Sequence, residues 1–167
     1  PETPLPPAPP SHDPRWELWL AGSAAFRTRL ASAGGPSVGV QAGRTGGVRT
    51  RITLELPRAT RFVADSRVGA VQLDVAVWWS LGPLRAELGP GVSFRSYRLA
   101  EESPTRHVAP IGTAGLGVQT RLGPLTLAPW LGTTVDTVVT RFDLPGDGEA
   151  VLSPIQVWTE LRIGWRP

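Results

Sequence analysis

Two histidines are the only imidazoles in this 167-residue chain, and their settings limit the catalysis it could support. His12 sits in the stretch PETPLPPAPPSHDP, with no nucleophile or metal ligand at a useful spacing. His107 is better placed. Ser93, Ser96, Glu101 and Glu102 lie near it in sequence, so a nucleophile, a base and an acid could be imagined together. Loop residues in such mixtures are usually just solvated, and the set defines no catalytic site. Asp143, Asp147 and Glu149, in FDLPGDGEAV, could attract a cation. A Ca²⁺ site takes more oxygen ligands at closer spacing, and a Gly-Pro loop kept soluble by charge explains the segment. Cys is absent, which excludes thiolate chemistry and disulfides. No catalytic, metal or cofactor-binding residue is assigned, and no cofactor is expected.

The remaining polar chemistry is ionic and regularly spaced. Every basic side chain is Arg, since Lys is absent, and the 17 basic residues stand against 14 acidic ones. The lack of both Lys and Asn marks a compositional bias before it marks a function. A nucleic-acid binder gathers its basic residues on one face or stripe, whereas here Arg recurs singly, in step with Asp and Glu. No nucleic-acid partner is expected. The residues of interest are Glu17, Arg49, Arg51, Glu55, Asp74, Arg85, Glu87, Arg95, Arg121, Asp136, Glu160 and Arg162. Each falls on the less apolar side of an alternating segment.

Those segments are strands. Residues 1–14 are Pro-rich, without apolar periodicity, and read as an extended tether; residues 15–167 read as one domain. The chain opens with Pro rather than Met and has no charged-then-apolar leader, so either a signal peptide has been removed or the sequence is part of something longer. Period-two alternation then predicts eight strands, near 16–28, 37–43, 48–57, 70–81, 84–95, 113–122, 125–137 and 155–166. In the last, Ile155, Val157, Thr159, Leu161, Ile163 and Trp165 alternate with Gln156, Trp158, Glu160, Arg162, Gly164 and Arg166. Tight turns at Arg44-Thr45-Gly46-Gly47, Leu81-Gly82-Pro83-Leu84 and Leu122-Gly123-Pro124-Leu125 occupy every second connection. Longer, more polar links lie between them, around 29–36, 57–69, 97–110 and 142–153.

An even number of strands with short turns at one end and long loops at the other is the layout of an outer-membrane barrel. Alternation alone would also fit a soluble lipocalin-like barrel with its apolar face inward. Three features favour the inverted arrangement. The polar face mixes balanced charges and Gly with Trp19, Trp78, Trp130 and Trp158, which suits the filled interior of an eight-stranded barrel. The apolar face carries no charge from Ile155 to Trp165, roughly 25 Å of height at about 3.3 Å per residue and a tilt near 40°. Trp16, Trp79 and Trp165 all fall on the apolar face at the short-turn end, where an aromatic girdle belongs.

With these features the chain resembles the small eight-stranded outer-membrane β-barrel family, typified by the OmpA membrane domain and OmpX. The resemblance spans about residues 15–166 and implies an antiparallel up-and-down transmembrane barrel, apolar face outward. It places both chain ends in the periplasm. In that family the final residue is usually aromatic, whereas here Arg166 and Pro167 follow Trp165. The expected function is a non-enzymatic anchor or interaction component of a cell-envelope assembly. Its partners would be outer-membrane lipid and envelope proteins, the latter reached through the Pro-rich arm or the outer loops. The alternatives are a narrow small-solute channel or transporter, a lipid-modifying outer-membrane enzyme, and a soluble lipocalin-like binding barrel. No apolar run approaches the roughly 18 residues of a membrane helix.

Overall fold

The computed structural model describes residues 16–27, 33–43, 45–59, 67–98, 105–139, 141–144, 148–151 and 153–166. The expected tether, 1–14, lies outside them. The described chain is all β: β1 (Trp16–Arg27), β2 (Ala33–Gly43), β3 (Gly46–Ala59), β4 (Arg67–Leu81), β5 (Leu84–Arg98), β6 (Thr105–Val118), β7 (Thr120–Leu122), β8 (Leu125–Asp136), β9 (Arg141–Leu144), β10 (Gly148–Val151) and β11 (Ile155–Trp165).

Neighbours in sequence pair antiparallel all the way round, and β11 pairs with β1 from Leu18↔Trp165 to Arg27↔Gln156. The sheet is therefore closed. β6 and β7 keep one register against β8, with Gly117 opposite Trp130 and Thr120 opposite Leu127, so they form a single stave and the barrel has eight. Closure removes the open sheet edge, whose unpaired backbone groups lipid could not satisfy. The small β9–β10 hairpin stands apart from the wall.

The turn chemistry follows from the sequence. Gly82 and Gly123 have φ of 61° and 62°, and each precedes a Pro in a two-residue connection. A Gly with positive φ at the first position is what a type II′ hairpin needs, and its twist matches that of the flanking strands.

Burial along every stave is inverted relative to a water-soluble barrel. Ile155, Val157, Leu161 and Ile163 are 43–54% exposed, while Gln156, Trp158, Glu160 and Arg162 between them are at most 5% exposed. The same alternation runs along β4, where Val71, Leu73, Val75, Val77 and Trp79 face out and Gln72, Asp74, Ala76 and Trp78 face in. The greasy surface is continuous, and it needs a non-aqueous environment: monomeric soluble proteins rarely expose contiguous apolar patches beyond a few hundred Å².

Inside, each buried Trp lies directly across a strand from a glycine: Trp19 from Gly39, Trp78 from Gly47, Trp130 from Gly117 and Trp158 from Gly132. At Gly39, Gly117 and Gly132 the missing side chain is the space the indole fills, whereas a Cβ on Gly47 would meet the Ala42 backbone. A Cβ on Gly132 would overlap the Trp158 ring, whereas one on Gly22, on the outer face, would meet nothing within 4 Å. Gly132→Ala is expected to cost about 1–3 kcal/mol of stability by overpacking. Gly22→Ala should stay within about 0.5 kcal/mol. Denaturant titration of each variant folded in lipid vesicles measures the difference.

Candidate functional site

Among the described residues, the buried ion pairs of the barrel interior are arranged in three layers. The central layer joins β3, β4, β5 and β11. Arg49 pairs with Asp74 and lies 3.0 Å from Glu87; Arg51 donates to Asp74 and to Glu160, both at 2.8 Å. Arg162 donates to both oxygens of Glu87, at 2.8 and 2.9 Å, and approaches Glu160 at 3.3 Å. Three guanidinium groups thus meet three carboxylates, and all six side chains are at most 4% exposed. Balanced charge with two-pronged Arg geometry is the form in which buried ions are tolerated.

Aromatic rings lie against two of the three guanidinium groups. The Arg162 guanidinium lies 4.0 Å from the Trp130 ring centre and 4.5 Å from that of Trp19, and Arg51 lies 4.7 Å from Trp158. Stacking on a π face stabilises a cation further, most strongly where it is desolvated.

The layer nearer the long loops is built on Asp136, which accepts from Arg27 at 2.5 Å and from Arg95. Gln72 and Gln156 each donate to Glu55 at 2.5 Å, and Arg27 donates to Gln156 at 2.8 Å. The layer nearer the tight turns centres on Glu17, which accepts from Thr126, from Gln41 at 3.0 Å and from Arg166 at 2.8 Å. Arg85 stacks 4.4 Å over Trp78 at the same end. Arg27 and Arg166, which alternation puts with the other charges of the polar face, join these layers, and so do Gln41, Gln72 and Gln156, which are not among the residues of interest in the sequence. Their inward parity on the same strands is the signal that finds them.

One expected member departs from the network. Arg121 is exposed, not enclosed. It pairs with Thr126, two residues before the Gly123-Pro124 turn, so it stands at the mouth of the barrel. No wall continues beyond it, and a long charged side chain there reaches water.

A channel through this interior would need a continuous gap. The void among Ser23, Ala25, Thr53, Glu55, Gln156 and Trp158 measures about 20 Å³, room for about one water.

The girdle residues sit on the outer face at the tight-turn end. Trp16, Trp79 and Trp165 are 46%, 49% and 46% exposed, and Trp16 meets Trp165 edge-on with ring centres 5.9 Å apart.

The imagined catalytic set is not assembled. Ser93 is fully buried inside the barrel and Ser96 faces outward. His107 is part of β6 rather than of a loop, opposite Arg95, with its ring edge-on to Tyr97 at 5.4 Å. Glu101, Glu102 and His12 lie outside the described residues. Among the described residues no group of three or more His, Cys, Asp or Glu could hold a metal ion. Asp143 and Glu149 are register partners in the β9–β10 hairpin, and Asp147 lies outside the described residues.

A closed eight-stave barrel with lipophilic outer walls and an ion-paired core has the fold of a transmembrane β-barrel. No protein-family model matches the chain, and no curated protein does. Solved structures do. The N-terminal β-barrel domain of Pseudomonas aeruginosa OprF aligns with a TM-score of 0.56 at 10% identity, over 93% of this chain and 100% of that one. A major outer membrane protein from Thermus thermophilus gives 0.55 at 15% identity, over 91% and 99%. Ail, the attachment invasion locus protein of Yersinia pestis, solved with the heparin analogue sucrose octasulfate, gives 0.52 at 10% identity, over 92% and 96%. At these identities the likeness is one of fold: the chain has the architecture of the small eight-stranded outer-membrane barrels.

Proposed function

We propose that this barrel is a non-enzymatic anchor or interaction component of the cell envelope. It would be held by outer-membrane lipid and present its long loops on one side and its Pro-rich arm on the other. The tight-turn end, where Trp16 and Trp165 meet, is assigned to the periplasm, and the long-loop end to the exterior. The single observation carrying this reading is the ion-paired, Trp-filled interior, with room for about one water between Glu55 and Trp158. A wall committed to lipid and a core committed to its own charges leave the loops and the arm as the parts free to meet a partner. Envelope proteins are the expected class of partner.

The channel reading and the lipid-modifying reading each make an opposite prediction. In planar bilayers the purified barrel is expected to give no stepwise conductance above the bare-membrane level. Mass spectrometry of envelope lipids is expected to find the same species with and without the protein. Discrete conductance steps would replace the proposal with a solute channel, and a new lipid species would replace it with an enzyme.

A further inference from the structure

At the long-loop end, β4, β5 and β6 place three Arg on the lipid-facing side of the wall. Arg67 is directly opposite Arg98, and Arg106 is opposite Ser96, one row below Arg98 on the adjacent stave. All three are exposed, and their parity is that of the outward residues, not of the buried Ala70, Arg95 and Ala109. Like charges directly opposite each other destabilise a strand pair, so an anion bound between Arg67 and Arg98 would relieve a cost built into the wall.

The surroundings suit an amphiphilic anion. Beneath the Arg lies the apolar row Val71, Phe94 and Val108, each opposite the next across adjacent staves. A shallow groove of about 420 Å³ opens on the outer wall there, between Leu54, Pro57, Val71 and Phe94, and reaches up to Arg106. Arg67 stands twelve residues along β4 from the girdle residue Trp79. At about 3.3 Å per residue and a tilt near 40°, that is roughly 30 Å of height, so the Arg lie at the opposite membrane interface.

We infer that this patch is a binding site for a net-anionic, phosphate-bearing membrane lipid in the leaflet on the long-loop side. The headgroup phosphate would be held by Arg67, Arg98 and Arg106, and one acyl chain would lie in the groove below. The pairing of cations above with an open apolar furrow below fits an amphiphile, because a soluble anion would leave the furrow without a role. Arg suits the phosphate end through its planar, forked donors.

Native mass spectrometry of the barrel released from mixed vesicles of phosphatidylglycerol and phosphatidylcholine with identical chains tests this. Each Arg near a membrane surface favours anionic lipid by roughly fivefold, so phosphatidylglycerol is expected to be retained over phosphatidylcholine by about tenfold or more. The triple variant R67Q/R98Q/R106Q should lose that preference, and Gly69→Leu, which fills the groove while keeping the Arg, should weaken retention. Folding is checked by the mobility shift between unheated and heated samples in detergent gels, with R98Q alone as the milder variant should the triple fail to fold. Equal retention of both lipids by the wild type overturns the proposal. So does an unchanged preference in a folded Arg variant. Displacement of the lipid by excess inorganic phosphate would make this a soluble-anion site and overturn the lipid assignment.

Discussion

Glu87→Ala is expected to destabilise the folded barrel by about 3–5 kcal/mol, among the largest effects a single side chain here can have. Glu87 takes two hydrogen bonds from Arg162 and pairs with Arg49, and all three side chains are buried. Removing the carboxylate leaves two guanidinium groups in a low-dielectric interior with three acidic partners reduced to two. The loss is that of an uncompensated charge, not of a hydrogen bond. A double variant, Glu87→Leu with Arg162→Leu, should therefore be less destabilised than the two single changes together, since it removes both halves of the pair. Equilibrium unfolding in vesicles, followed through tryptophan fluorescence, gives all three values. A Glu87→Ala variant as stable as the wild type would show that the central layer is hydrated and the charges screened.

Leu161→Arg is expected to cost about 2–4 kcal/mol, the penalty of a charge at the midplane of a lipid-facing wall. Leu161 is 48% exposed and its cross-strand neighbours, Gly22 and Pro129, are small, so nothing in the protein obstructs the longer side chain. Any destabilisation then reports the surrounding medium. The control is Leu122→Arg, one residue before the Gly123-Pro124 turn, where a charge reaches the interface and should cost about 0–1 kcal/mol. Equal, negligible costs at both sites would mean that water, not acyl chains, surrounds the barrel.

The parts of this fold that are legible in the sequence are those where the two faces of a strand meet different media. Along Ile155–Trp165 lipid lies outside and a charged core inside, so apolar and polar residues alternate without a break. Toward the long loops the outside becomes water and the contrast fades. There Ser96, Arg98 and Arg106 face out while Tyr97 and Ala109 face in. Periodicity accordingly leaves 97–110 as a link, although β5 runs to Arg98 and β6 begins at Thr105. It also starts β2 late, at Ser37 rather than Ala33, because Gly34, Gly35 and Pro36 carry no alternating signal. Charge on the inner face is readable from parity. Which Arg meets which carboxylate is not, because Arg51 and Glu160 are brought together only by closure of the sheet, far from each other in sequence. The matching of each inner Trp to a glycine is hidden for the same reason, since it depends on register between strands.

The seam between β1 and β11 has a consequence for how such a molecule comes into being. The last stave supplies Trp158 to the packed interior, Glu160 and Arg162 to its ion cluster and Trp165 to the girdle. Until it docks, Arg51 and Glu87 each lack a counter-charge they will later hold, and the first stave presents an open edge. Contacts so distant in sequence form slowly, so an unfinished cylinder has little to hold it shut. Assembly should therefore behave as one late, all-or-none event, timed by the arrival of the final strand.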